Sequence, residues 1–224
     1  MKIEGIVLQS IDYKETSKIV YLYTKMGKIS VKSIGAKKPK TGSLGFITTG
    51  NIVSAVISDT QYPSLYEYEV LDSIYSITKD FIRVKVFIVM LEVIKNIPED
   101  ANHELIYDYV KKSLKDLLSE DPKKLLSIFL IKMLYPYGIA PNLKACVNCK
   151  GTDIVFLDLP RGVSYCKNCT EKRNEEFYRI FKEYYYDKKE IKEYTNYDYN
   201  EIFSYLNDYY LRYISLDLKI FKGI

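Results

Sequence analysis

All four cysteines fall in one short stretch: Cys146-Val147-Asn148-Cys149, sixteen intervening residues, then Cys166-Lys167-Asn168-Cys169. A two-residue gap lets both sulfurs of a pair turn toward one point, and two such knuckles complete a tetrahedron at Zn–S distances of about 2.3 Å. Four thiolates leave no open coordination position, so the pattern predicts a structural Zn2+ rather than one that activates water. The paired, ribbon-like spacing favours zinc over an iron–sulfur cluster. Disulfides or free buried thiols are the alternative. Disulfides are disfavoured because the N-terminus, MKIEGIVLQS, shows no basic segment followed by a long apolar core, which points to the cytoplasm and its reducing conditions, and random placement of free thiols rarely yields two CxxC pairs and no other cysteine.

The rest of the composition narrows the function. A chain of 224 residues, 47% hydrophobic, can bury one ordinary core or two small ones. No stretch approaches the roughly 18 uninterrupted apolar residues of a membrane span. A single histidine, His103, leaves little room for a nucleophile triad or a multi-histidine metal site, so binding is favoured over bond-making and the chain is not expected to be an enzyme. The 33 basic against 29 acidic residues give only +4, so a polyanion site must come from clustering of charge. Lysine and tyrosine are abundant throughout, with 23 tyrosines and no tryptophan, as A/T-rich codons produce, so no single Lys or Tyr carries weight alone.

Charge does cluster. From Lys14 to Lys40 there are eight lysines and one acid, Glu15, a surplus of seven that leaves the remainder slightly negative. Within it, Gly35-Ala36-Lys37-Lys38-Pro39-Lys40 is a loop that cannot be helix and can reach phosphates. Lysine acts there as a point charge, giving affinity without sequence reading. Lys14, Lys18, Lys28, Lys32, Lys37, Lys38 and Lys40 are the candidate DNA-binding residues. The competing interpretation is solvated charge on a small barrel. Tyr13, Tyr21, Tyr23 and Tyr62 are candidates to stack on bases, although such tyrosines are more often core or semi-core residues.

These lysines lie among short runs rich in Ile, Val, Tyr and Thr: Lys2–Gln9, Lys18–Thr24, Lys28–Ile34, Asn51–Ser58 and Tyr66–Ile77. Five strands in one segment predict a small barrel, an OB-fold or an SH3-like barrel. From Lys28 to Lys32 the residues alternate, Ile29 and Val31 on one face and Lys28, Ser30 and Lys32 on the other. Beyond Thr78 the period becomes helical. Phe81–Ile97 is apolar nearly all round, which predicts a helix buried between others. His103–Ser119 places Leu105, Ile106, Tyr109, Val110, Leu114, Leu117 and Leu118 on one face. Asp121 caps a third helix with Pro122 at its first position and Gly138 past its end. Asn174–Tyr186 and Asp198–Ile214 are helical again. The expected class is α+β, with a five-stranded barrel over 1–78, a helical bundle over 79–143 and 174–224, and a small four-cysteine zinc module over 144–173 inserted in the bundle.

The order and wording of these parts resemble the bacterial DNA repair protein RecO family. The resemblance is carried by Gly5-Ile6-Val7-Leu8, Asp12-Tyr13-Lys14-Glu15-Thr16-Ser17-Lys18-Ile19, the loop Gly35–Lys40, Tyr137-Gly138-Ile139-Ala140-Pro141-Asn142-Leu143 leading into Cys146 and Cys149, Arg161-Gly162-Val163 before Cys166 and Cys169, and the closing Tyr213-Ile214 to Phe221 segment. It implies an N-terminal OB-fold, a helical domain and an inserted zinc module. It further implies binding of single- and double-stranded DNA, annealing of complementary strands and, with RecR, loading of RecA onto DNA covered by single-strand-binding protein, in DNA recombination and the response to DNA damage at the nucleoid. Where the family usually has arginine beside lysine in the basic loop, this chain has Lys37 and Lys38, which weakens bidentate gripping of phosphate.

Two rivals remain. A zinc deaminase needs H-x-E before a CxxC, whereas Glu104 directly follows His103 and both lie far from either cysteine pair. A zinc-ribbon adaptor or transcription regulator would work through protein partners and use the barrel only as scaffold. Direct, salt-sensitive DNA binding discriminates against it.

Overall fold

The computed structural model describes residues 1–38, 43–186 and 199–218. Strand β1 (Lys2–Tyr13) organises the first part of the chain because it pairs on both sides. Its first half lies antiparallel to β4 (Ile52–Ile57), from Lys2↔Val56 to Ile6↔Ile52. Most of its length pairs with β2 (Ser17–Thr24), from Gly5↔Thr24 to Tyr13↔Ser17, with a bulge between Val7 and Gln9. A bulge of this kind bends a strand and adds twist. β3 (Gly27–Ser33) follows β2, and β5 (Leu65–Asp72) follows β4, giving the order β3-β2-β1-β4-β5. The two outer strands meet through a parallel bridge, Lys32↔Ser64, where the Lys32 N–H donates to the Pro63 carbonyl at 2.8 Å. This closure makes the sheet the five-stranded OB-type barrel, with a short helix α1 (Leu44–Ile47) between β3 and β4.

Ile3, Val7, Val20, Leu22, Val31, Phe46, Val53, Ala55 and Ile57 fill the barrel. The alternation expected in β3 is present: Val31 is buried and Ile29 half-buried, while Lys28 and Ser30 are exposed. Three features differ from expectation. β1 runs on to Tyr13, α1 has no counterpart in the sequence pattern, and β5 stops at Asp72, after which Ile74–Lys79 is a 3-10 turn.

The chain divides into two compact units, Met1–Glu120 and Asp121–Ile224. The first includes α2 (Phe81–Lys95), capped by Asp80, and α3 (His103–Asp116), capped by Asn102. The sequence pattern groups these helices with the later bundle instead. α2 is not buried all round, since Phe81, Ile82 and Ile88 are exposed. The expected face of α3 is buried at Ile106, Val110 and Leu114, with Leu117 just past its end, but Leu105 and, beyond the helix, Leu118 are exposed and Tyr107 is fully buried. The Tyr107 hydroxyl donates to the Glu4 carboxylate on β1 at 2.9 Å, a polar anchor for the helix.

The second unit begins with α4 (Pro122–Met133), with Asp121 accepting from the Lys124 N–H and Pro122 in the first turn as expected. Gly138, at φ 68, closes the turns beyond it. A hairpin of β6 (Ile154–Asp158) and β7 (Val163–Cys166) follows, then α5 (Glu175–Tyr186) and α6 (Tyr199–Ile214), both packed on α4. The buried Tyr210 hydroxyl donates to the Leu130 carbonyl at 2.8 Å. Among the described residues no helix is long and apolar enough to cross a membrane.

Candidate nucleic-acid interface and metal centre

Beyond Val7, which still exchanges backbone hydrogen bonds with Asn51 and Gly50, β1 has no partner on its β4 side among the described residues, so Gln9–Tyr13 is an edge paired only with Ser17–Tyr21 of β2, itself backed by β3, and it is largely exposed. Lys14 takes a left-handed conformation, φ 52, at its tip. Asp12 and Lys18 face each other in register, and the Lys18 ammonium bonds the Asp12 carboxylate at 2.8 Å. Lys37 reaches the other oxygen of the same carboxylate at 2.9 Å. Its backbone N–H donates to the Thr16 carbonyl at 3.1 Å, which ties the turn at Gly35–Lys38 to the β1–β2 loop. The hydrogen bonds from Lys18 and Lys37 hold the Asp12 carboxyl down to about 2. On the neighbouring residue, the ammoniums of Lys14 and Lys32 lie 5.5 and 5.7 Å from the centre of the Tyr13 ring, within cation–π range.

The fold thus gathers Lys14, Lys18, Lys32 and Lys37 around Asp12 and Tyr13. Lys28 is directed elsewhere: its ammonium donates to the carbonyls of Lys95 and Ile97, both at 2.9 Å, at the C-terminal end of α2, where a cation meets the negative end of the helix. Lys38 is exposed and makes no ion pair among the described residues. Lys40 lies outside the described residues.

The structure also sorts the tyrosines. Tyr23 is fully buried, its hydroxyl 3.2 Å from His103 Nδ1, so it offers no face to a base. His103 Nε2 lies 3.0 Å from the Glu99 carbonyl, which can only accept. Nε2 therefore carries a proton, and through Glu99 and Tyr23 the one histidine joins α3 to the barrel. Tyr13 and Tyr21 are half-buried. Tyr62, on the β4–β5 loop, is 79% exposed. Sequence reasoning missed Asp12, whose second partner lies 25 positions away and is brought in only by the fold.

The cysteines come together in the second unit. Cys146 and Cys149 sit in one knuckle, closed by Lys150 N–H to Cys146 O at 3.0 Å; Cys166 ends β7 and begins the other, closed by Cys169 N–H to Cys166 O at 3.0 Å. All four sulfurs lie within 4.8 Å of one another, with Cys149 and Cys166 at 3.4 Å. A tetrahedron with Zn–S bonds of about 2.3 Å has sulfur–sulfur edges of about 3.8 Å, inside that range. The backbone N–H of Cys149, with those of Cys166 and Asn148, points at the Cys146 sulfur and draws its thiol down to about 6. Hydrogen bonds that the Cys169 thiol donates to the sulfurs of Cys149 and Cys166 push it up to about 12. N–H donors aimed at sulfur suit a metal-bound thiolate, so the donor set fits a closed four-thiolate site.

The hairpin that carries Cys166 is held from several sides. Asn174 exchanges hydrogen bonds with the Leu157 backbone at 2.7 and 2.9 Å, and the Ser164 hydroxyl donates to Asn142 O at 2.7 Å. Gly162, at φ 66, passes so close to α6 that a Cβ there would lie 2.9 Å from the Tyr209 hydroxyl.

Among known proteins, residues 1–76 match the family model described as Recombination protein O N terminal, and 78–219 the one described as Recombination protein O C terminal. The DNA repair protein RecO of Halalkalibacterium halodurans is 30% identical, the match covering 76% of this chain and 69% of that protein. RecO of Bacillus subtilis is also 30% identical, over 97% of this chain and 91% of its own. RecO of a Thermoanaerobacter species is 31% identical, over 77% and 72%.

Proposed function

Because this chain belongs to the RecO family of DNA repair proteins, we propose that it is a non-catalytic recombination mediator that binds single- and double-stranded DNA on its barrel and promotes annealing. In this reading it acts at the nucleoid, and with RecR it helps load RecA onto DNA covered by single-strand-binding protein. Residues 1–78 serve as the DNA-binding domain, 79–143 with 174–224 as the helical domain, and 144–173 as the zinc module.

The observation that carries the reading is the gathering of four lysines at the end of the β1–β2 hairpin, Lys14 and Lys32 on the Tyr13 ring and Lys18 and Lys37 on the Asp12 carboxylate. Two DNA strands approach each other against the repulsion of their phosphates. A surface that neutralises phosphates on both lowers that barrier without hydrolysis or a nucleotide. Lysine ammoniums do this for any sequence, as annealing requires. Cys146, Cys149, Cys166 and Cys169 would hold Zn2+, which cross-links the module and supplies no reactive position.

The test is oligonucleotide binding and annealing across salt for a Lys14→Ala, Lys32→Ala, Lys37→Ala variant. Loss of three phosphate contacts should weaken single-strand binding roughly 50-fold near physiological salt and make the log–log salt slope shallower by about 2. Unchanged affinity, annealing rate and slope would overturn the reading and favour an adaptor that works through protein partners.

A further inference from the structure

We propose that Tyr13 and Tyr62 form a two-ring stacking platform for the bases of single-stranded nucleic acid, with Lys32 as the cation between them. The proposal rests on the reading of the barrel as a DNA-binding surface and deepens it: it names the groups that separate single strands from duplexes.

The two tyrosines are far apart in sequence, but barrel closure ties the loop that carries Tyr62 to the main chain of Lys32, whose side chain lies on Tyr13. The ammonium of Lys32 lies 5.7 Å from the centre of the Tyr13 ring. Its backbone N–H bonds the carbonyl of Pro63, the residue after Tyr62. Lys32 therefore touches both loops that flank the β2–β3 face of an OB-type barrel, β1–β2 through its side chain and β4–β5 through its main chain. Tyr62 is 79% exposed on the second loop, whereas Tyr23, another aromatic of this barrel, is buried and bonded to His103. The Tyr13 ring is positioned by the ammoniums of Lys14 and Lys32, so the phosphates beside a base stacked on it would find counter-charges already in place.

Every base has a π-face, so such a platform accepts any sequence. In a duplex those faces are covered by neighbouring base pairs. The lysines then serve single strands and duplexes alike, while the rings serve single strands only. An annealing protein built this way holds its reactants more tightly than its product, and the paired product leaves.

The experiment measures binding of the full chain to an oligonucleotide, its duplex and an abasic strand of equal length, by anisotropy at fixed salt and then across salt. Tyr62→Ala and Tyr13→Ala should each weaken single-strand binding by at least about 5-fold, leave duplex binding within about twofold and leave the salt slope unchanged. Tyr62→Phe should bind as the unmodified protein does. The abasic strand should bind the unmodified protein no better than a normal strand binds the double alanine variant. If Tyr13→Ala fails to fold, the exposed Tyr62 carries the test. Equal losses on both substrates, or none on single strands, overturn the platform. Failure of the unmodified protein to bind DNA at all overturns the DNA-binding reading itself.

Discussion

Asp12 sets the sign of the electrostatics at the proposed DNA face. Its carboxylate takes one ammonium on each oxygen, Lys18 at 2.8 Å and Lys37 at 2.9 Å, so it occupies the position a backbone phosphate would take between the same cations. DNA must displace this internal anion before it can use either lysine. Asp12→Asn keeps the size and a hydrogen-bonding side chain but removes the charge. It is expected to tighten single-strand binding by about 4-fold near physiological salt and to steepen the salt slope by about 0.7, the effect of one more neutralised phosphate. Weaker binding would show instead that Asp12 serves to position the lysines. The pH dependence has a definite sign. Held down to about 2 from an ordinary 3.8, the carboxylate's contribution to folding is fully present above about pH 4 and fades as pH falls toward 2. Any stability advantage over Asp12→Asn, measured as a urea midpoint, should shrink over that window and be constant above it. The lysines of this site were legible in the sequence because charge density is a local property. Asp12 was not, because one carboxylate among eight lysines acquires meaning only when a turn 25 residues away is tied back to it.

At the level of elements, local chemistry announced what local chemistry decides. The cap Asp121, the proline at the start of α4 and the alternation along β3 all follow from near neighbours in the chain. The burial of Tyr107 in α3 did not follow. Its leucines suggested one buried face, but the barrel offers a carboxylate, Glu4, and α3 turns Tyr107 and Lys111 toward it, at 2.9 and 2.6 Å. Burial alone would raise the Glu4 carboxyl; the hydrogen bonds from Lys111 and Tyr107 outweigh it and hold the group below the usual range. Removing one neutral donor while a charged one remains should be mild, so Tyr107→Phe is expected to cost about 1 kcal/mol. Tyr107→Ala also empties the site of a fully buried ring and should cost about 3–5 kcal/mol. Urea unfolding of both variants checks the pair, and equal losses would mean that the hydroxyl contributes nothing to docking α3. The extension of β1 to Tyr13 was hidden for a related reason: past the bulge the strand has only β2 as partner, so its exposed residues lack the alternation that marks a strand in a barrel wall.

Across the whole molecule, the two candidate sites differ in how they are built. The cysteine ligands are two knuckles within one hairpin region, so their spacing in sequence nearly dictates their geometry. The DNA face draws on residues from Asp12 to Tyr62 and exists only once the barrel closes at Lys32↔Ser64. They also fall in different compact units, the cysteines in Asp121–Ile224 and the lysines in Met1–Glu120. Loss of metal should therefore separate the two properties. Without an ion, Cys146 and Cys166 are buried thiols, and the binding energy of a structural Zn2+ is folding energy for the segment it closes. Stripping the metal with a mercurial and a chelator should release about one Zn2+ per chain and lower the Tm. Hydrogen-exchange protection should fall through residues 142–169 and in α5 and α6, which hold the hairpin through Asn174 and Tyr209. Protection over 1–76 and single-strand affinity per folded molecule should stay within about twofold. A metal-free chain with undiminished protection in the hairpin would deny the ion its structural role. Loss of DNA affinity at full barrel protection would place part of the DNA site in the second unit.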